Sequence, residues 1–256
     1  MSTWLFDLGN TRLKCAPLLG NGGVGDVVAI AHDGVALAPD WLDALPSGRI
    51  EAAFVVSVVP AALRAALFDS LGGRCARMSR AGTLRRFDGV EIAYAQPQRL
   101  GADRFLALLA AHARGARPWL VAGVGTALTI DLLDAAGLHR GGRIAPSPML
   151  MRQALHARAA QLPESGGRYI EFADDTDDAL ASGCEGAAVG LIERSLRTAE
   201  DLFGAPPGLL LHGGGAAGLQ LHFGDAILAP ALVLEGLARW ACAERDLPGH
   251  REVPGL

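Results

Sequence analysis

Asp7-Leu8-Gly9-Asn10-Thr11-Arg12-Leu13-Lys14 joins two apolar, strand-like runs, Thr3–Asp7 and Leu13–Leu18. A glycine in such a turn lets the backbone come close to an anion, and the N–H groups of a tight turn can cradle phosphate oxygens. Asn10 and Thr11 add neutral donors. Lys14 is the only lysine among 23 Lys and Arg residues, which suggests that a compact point charge is wanted here and not the planar fork of an arginine. Asp7 is suited to orient a hydrated magnesium ion, which keeps several waters when bound. Taken alone, the stretch reads equally well as an ordinary β-hairpin with an Asn/Gly turn.

An echo of this stretch, Ala122-Gly123-Val124-Gly125-Thr126, opens the second half of the chain. Periodicity predicts further strands near Val27–Ala31 and Phe54–Val58, a helix from Pro60 to Leu71, a weaker strand, and a helix over Ala102–Arg114. Gly115-Ala116-Arg117-Pro118 then breaks the pattern. After the break come strands at Trp119–Ala122, Leu128–Leu133 and near Arg143-Ile144, then helices around Met149–Ala160 and Asp178–Leu202. Leu209–Leu211 reads as a short buried strand, and Pro230–Ala243 as a last helix. Both halves thus run strand, Gly/Thr turn, two more strands, then helices alternating with strands. The expectation is an α/β protein of two similar lobes, 1–116 and 117–256, whose phosphate-binding turns face one another across a nucleotide cleft.

Two further groupings carry chemistry. Gly213-Gly214-Gly215-Ala216-Ala217-Gly218 matches the spacing of a dinucleotide fingerprint, but that unit needs an acidic ribose ligand on a following strand, and Glu235 falls inside an apolar helical pattern. These glycines read better as a tight strand-to-helix turn passing close to a nucleoside. Leu100-Gly101-Ala102-Asp103-Arg104 places an acid and a cation in the first turn of a helix. Asp103 there needs no more than helix-end electrostatics to explain it, whereas a cation is disfavoured unless an anion faces it. Together, Arg104 can bind a carboxylate or phosphate while Asp103 takes a proton from a hydroxyl, the pairing that a kinase for a small acidic alcohol needs.

Composition narrows the classes. The 256 residues are half apolar and one-fifth charged, enough to bury a substantial core, and the net charge of −4 gives no footprint for nucleic acid. Cys15, Cys75, Cys184 and Cys242 are scattered without metal-ligand spacing and read as small buried residues in a reducing compartment. No apolar run approaches a membrane span, and the chain enters a strand at Thr3 without a leader-like segment, so a cytoplasmic protein is expected.

Five motifs in order then carry a family resemblance: Asp7-x-Gly9-Asn10-Thr11-x-x-Lys14; Tyr94-x-x-Pro97-x-x-Leu100-Gly101-Ala102-Asp103-Arg104; Gly125-Thr126-Ala127-x-Thr129-x-Asp131; Gly141-Gly142-x-Ile144-x-Pro146; and the Gly213–Gly215 turn. The set resembles type III pantothenate kinases, in the branch called Bvg accessory factor-like. The resemblance implies a duplicated ribonuclease H-like fold of the actin/hexokinase type, a homodimer, and phosphorylation of pantothenate by ATP in the first committed step of coenzyme A synthesis. It implies ATP contacts from Asp7, Leu8, Gly9, Asn10, Thr11, Arg12, Leu13, Lys14, Gly125 and Thr126, and a nucleoside beside Gly213 and Gly214. Tyr94, Gly101, Ala102, Asp103, Arg104 and Thr176 match substrate-binding positions, with Asp103 as the general base and Arg104 on the pantothenate carboxylate. Magnesium would be held near Asp7 through water. Many members also carry an aspartate, associated with potassium or ammonium, where this chain has Gly123, and a glycine where it has Ser147. A non-catalytic, nucleotide-binding relative is the other reading.

Overall fold

Apolar side chains at alternate positions turn β1 (Ser2–Leu8) and β2 (Arg12–Pro17) into an antiparallel hairpin with Asp7 opposite Lys14 and Leu8 opposite Leu13. The computed structural model describes residues 2–246. β3 (Val28–Ala31) adds to β2, again antiparallel. On the other side of β1 lies β4 (Ile50–Ser57), parallel to it, followed by the crossover helix α1 (Ala61–Gly72) and β5 (Cys75–Arg80), parallel to β4. β4 starts four residues before the expected Phe54, because Ile50 to Ala53 continue its pairing with β1 although Glu51 and two alanines blunt their apolar signal.

Next come a small hairpin, β6 (Arg86–Phe87) and β7 (Val90–Glu91), and the helix α2 (Ala102–Ala113). Asp88 and Gly89 link the two short strands with φ of 49° and 82°, the left-handed pair that a two-residue hairpin turn demands. This hairpin and the strand β5 were blurred in the sequence because they are short and carry many charged residues.

The second half builds β8 (Trp119–Val124), β9 (Ala127–Leu133) and β10 (His139–Pro146) as an antiparallel set. The helices α3 (Pro148–Arg158) and α4 (Thr176–Phe203) follow. β11 (Gly208–His212) then lies parallel to β8, and β12 (Ile227–Leu228), after the one-turn helix α5 (Ala216–Gln220), parallel to β11. The sheet orders are β3-β2-β1-β4-β5 and β10-β9-β8-β11-β12, the same topology twice. Each is a five-stranded ribonuclease H-like sheet, so the duplicated actin/hexokinase-type fold is present. Each sheet has its own core, one around Phe6, Trp41, Val55 and Leu67, the other around Leu120, Ile130, Ile192 and Leu211.

The expected division at 116/117 needs one correction. The chain packs into one compact unit made of its first 114 residues plus the last helix, α6 (Leu232–Asp246), and a second made of Gly115–Pro230. α6 returns to the first unit because it docks on α2. Gly236 lies so close to the backbone of Leu106 that a Cβ would overlap its carbonyl. Trp240 stacks on Phe87 at 4.7 Å and meets Phe105 edge-on at 6.3 Å, while Glu235 pairs with Arg114 and Arg239 with Asp88, each at 2.5 Å. Among the described residues no helix is long and apolar enough to cross a membrane. Cys15, Cys75 and Cys184 are buried and Cys242 partly so, all as free thiols.

Gly236→Ala should therefore destabilise the protein by about 1–3 kcal/mol, against a propensity gain of at most about 1 kcal/mol for losing a helical glycine. Gly190→Ala, on the open side of α4 where an added Cβ meets nothing, should show the gain alone. Urea unfolding of both variants checks this, and equal stabilisation of the two would refute the close packing of α2 on α6.

Candidate functional site

In the first unit, the turn between β1 and β2 is closed by the Gly9 N–H donating to the Arg12 carbonyl at 3.1 Å. Asn10, Thr11 and Arg12 are exposed at its tip, whereas the side chains of Leu8 and Leu13 are wholly buried and leave only their backbone groups available. His32, which the sequence did not single out, braces the turn from behind. Its Nδ1 accepts from the Gly34 N–H at 3.0 Å, which makes Nε2 the protonated nitrogen, and Nε2 donates to the Gly9 carbonyl at 2.8 Å. The His32 N–H also donates to the Thr11 carbonyl at 3.1 Å.

Behind the tip, Asp7 and Lys14 face each other across the hairpin. Burial, and after it the like charge of Asp103, push the Asp7 carboxyl from 3.8 up to about 7, with Lys14 pulling the other way. Asp103 stands in the first turn of α2, where its Oδ1 accepts from the Arg104 N–H at 2.8 Å. Arg104 is 7% exposed, a buried cation at a helix start. The approach to α2 is pinned: Thr83 Oγ1 donates to the Leu100 carbonyl at 2.8 Å, and the Arg85 guanidinium donates to the carbonyls of Tyr94 and Ala95 at 3.3 and 2.7 Å. Asp7, Lys14 and Asp103 thus share one electrostatic neighbourhood, and Tyr94, Gly101, Ala102 and Arg104 lie on the segment leading into it.

In the second unit, β8 and β11 run parallel with Gly123 level with His212, so the turns that follow them lie side by side. The Gly125 N–H donates to the Ala127 carbonyl and the Gly215 N–H to the Val124 carbonyl, each at 3.0 Å. Gly213 adopts a φ of 93°, with its Cα so close to the Val124 backbone that a Cβ would come within 2.5 Å of that carbonyl. Ser147 joins the Gly125–Thr126 turn to the next helix. It is 1% exposed, its hydroxyl donates to the Thr126 carbonyl at 2.9 Å, and it accepts from the Leu150 N–H at 3.2 Å. The second turn is thereby tied to the N-terminus of α3, with Ser147 as its N-cap.

Thr176 opens α4 and is exposed. It lines an open polar depression with Gly167, Arg168, Asp175, Asp177 and Asp178, where Asp175 caps the helix by accepting from the Asp178 N–H at 2.9 Å. As for metals, no group of three or more His, Cys, Asp and Glu side chains gathers among the described residues. The group that fits a hard divalent cation is the partly buried carboxyl of Asp7, whose repulsion from the like charge of Asp103 an added cation would relieve, with the remaining ligands left to water or phosphate.

A carboxyl whose folded-state pKa lies above its unfolded one costs nothing below about pH 3.8, and its cost grows as pH rises to about 7 and is then constant. The stability of Asp7→Asn relative to the parent should therefore climb between these values and level off above. Thermal unfolding of both proteins across that range tests it, and a difference that shrinks with pH would mean that Asp7 is held as a favoured anion.

The family comparison covers most of the chain: residues 4–198 match the type III pantothenate kinase family. A type III pantothenate kinase of Stenotrophomonas maltophilia (strain K279a) is 57% identical over 241 residues, covering 94% of this chain and 98% of that protein. One of Xanthomonas euvesicatoria pv. vesicatoria (strain 85-10) is 58% identical over 243 residues, covering 95% and 98%. Among solved structures, a Baf family protein from Campylobacter jejuni is similar with a TM-score of 0.63 at 20% identity, covering 95% of this chain and 100% of that one. A protein from Sinorhizobium meliloti named for 2-dehydro-3-deoxygalactonokinase has a TM-score of 0.52 at 16% identity, covering 96% and 100%. These two likenesses bear on the fold; the matched residues and the two close relatives establish that this chain belongs to the type III pantothenate kinase family.

Proposed function

We propose that this chain transfers the γ-phosphoryl group of ATP to the primary hydroxyl of pantothenate, giving 4'-phosphopantothenate for coenzyme A synthesis in the cytoplasm. The observation that carries the reading at the residue level is the shared neighbourhood of Asp7, Lys14 and Asp103, a phosphate-type turn and a candidate base held in one unit. Phosphoryl transfer asks little covalent chemistry of a protein and depends on positioning and charge. The exposed tip Gly9–Arg12 offers backbone N–H groups to phosphate oxygens, and Lys14 adds a positive charge. Within the second unit, Gly125 and Thr126 offer a further set of neutral N–H and O–H donors to phosphate, and the Gly213–Gly214 turn suits a nucleoside.

Asp103 orients the pantothenate hydroxyl and accepts its proton as the bond to phosphorus forms. A carboxylate is a weak base for an alcohol, so its work is directional and the proton moves late. Arg104, buried at the start of α2, carries the planar guanidinium that can hold a carboxylate bidentately. Tyr94, Gly101, Ala102 and Thr176 complete the acid's surroundings. Asp7 would hold magnesium, directly or through water, and that ion would supply charge neutralisation to the phosphates when bound.

Incubation with ATP, magnesium and pantothenate should yield 4'-phosphopantothenate by mass spectrometry, and Asp103→Asn should lower turnover by about 10²–10⁴-fold while leaving the affinity for a non-hydrolysable ATP analogue nearly unchanged. A variant that keeps its rate would remove Asp103 from the chemistry. Nucleotide binding without product would favour the non-catalytic relative.

A homodimer is the second part of this proposal. The second unit exposes large apolar side chains on β10, α3 and the loop before α4: Ile144 at 67%, Met149 at 52%, Leu155 at 44% and Phe172 at 96%. Exposed apolar groups that gather into one patch mark interaction surfaces, and these four lie on elements of the same unit. Sedimentation should give twice the 26.6 kDa chain mass, and Phe172→Asp should shift the equilibrium toward monomer. A monomeric parent protein would end this part of the reading.

A further inference from the structure

Position 123, where the family resemblance places a cation-associated carboxylate, is a glycine with its side-chain space already taken. Gly123 sits on β8 between Thr129 on β9 and His212 on β11, each in register with it on its own side. A Cβ added at 123 would lie 2.8 Å from His212 Nε2, 3.0 Å from His212 Cε1 and 2.8 Å from Thr129 Oγ1. Real Cβ atoms do not come so close to other heavy atoms. The imidazole from one flank and the hydroxyl from the other close over the Cα, and any side chain at 123 must displace both.

The residues present therefore do not fit a potassium-type site. A hard monovalent cation is held by oxygen ligands, and the charge that would favour it, a carboxylate at 123, is missing. In its stead stands an imidazole, whose nitrogens suit transition metals and which repels a cation when protonated. The location matters, since Gly123 is two residues before Gly125 and His212 immediately precedes Gly213, the two turns that share the Val124 backbone.

We infer that His212, seated over Gly123 beside Thr129, fills the place of the cation-binding carboxylate, so that the second phosphate turn of this protein works without a monovalent cation and is positioned by the imidazole. His212 is on this view a positioning residue for the Gly125–Thr126 and Gly213–Gly214 turns. The inference rests on the kinase reading for its meaning, but it is tested on nucleotide binding, which does not require turnover.

The decisive measurement is the affinity of the wild-type protein for magnesium and a non-hydrolysable ATP analogue, by calorimetry, in potassium, ammonium and choline chloride at equal ionic strength. Affinities equal within about twofold are expected, and a tightening of about tenfold or more in potassium or ammonium would overturn the inference. Turnover in the same salts reports separately: no product in any salt defeats the kinase reading and leaves the affinity comparison standing. In a second experiment, the paired change Gly123→Asp with His212→Ala removes the imidazole, leaves only the Thr129 hydroxyl to rotate aside, and restores the carboxylate. It should acquire a potassium response of about fivefold or more in the same titration. A paired variant that folds, by circular dichroism, and stays indifferent to potassium would show that His212 is not what fills the place.

Discussion

The constraint that organises the first unit is the holding of one carboxyl, Asp7, partly buried beside a second, Asp103. Water would solvate either charge freely, and the fold denies Asp7 that choice: burial and the neighbouring acid lift it to about 7, while Lys14 opposes them from the facing strand. Such an arrangement is costly for an empty protein and useful for one that must attract cationic charge to phosphates. The surrounding structure makes it possible. β1 runs between an antiparallel and a parallel neighbour, so its backbone is paired on both edges up to Leu8, and the carboxyl of Asp7 has little freedom to retreat. α2 brings Asp103 in from a distant part of the chain, and α6 clamps α2 through the contact of Gly236 with Leu106.

The second unit repeats the topology without repeating the electrostatics. Its first turn has no acid equivalent to Asp7 at 123; the strand instead leaves a gap that His212 and Thr129 close. Duplication preserves the backbone course, because strand order and turn length are set by pairing and by glycine, and it leaves the side chains at each turn free to diverge. Ser147 illustrates the same freedom. A buried hydroxyl at 147 links the Thr126 carbonyl to the first turn of α3, so a side chain braces the second turn.

Much of this was legible from residue order. The Asp7–Lys14 hairpin, the Gly123–Thr126 turn, the Gly213 turn and the acid-cation start of α2 were readable because each is local: a glycine, a capping position or an alternation declares itself within a few residues. Glu235 was read into a helix on its apolar neighbours and lies in one, paired with Arg114. The β6–β7 hairpin and most of β4 before Phe54 were not readable, since short or partly charged strands acquire their identity from the strand they pair with. His32 was silent for a similar reason. A lone histidine in a loop means nothing until its ring is seen bridging Gly34 and Gly9.

By itself, then, the sequence determined the order of elements, the positions of the glycine turns and the family, because periodicity, turn chemistry and ordered motifs are properties of neighbouring residues. Only the tertiary structure decided that α6 belongs with the first unit, that Asp7 is pushed up toward neutrality by burial and then by Asp103, that Ser147 braces Thr126, and that an imidazole lies over Gly123. Each of these depends on residues far apart along the chain coming within a few ångströms, where burial lowers the dielectric and a single Cβ decides whether two backbones meet.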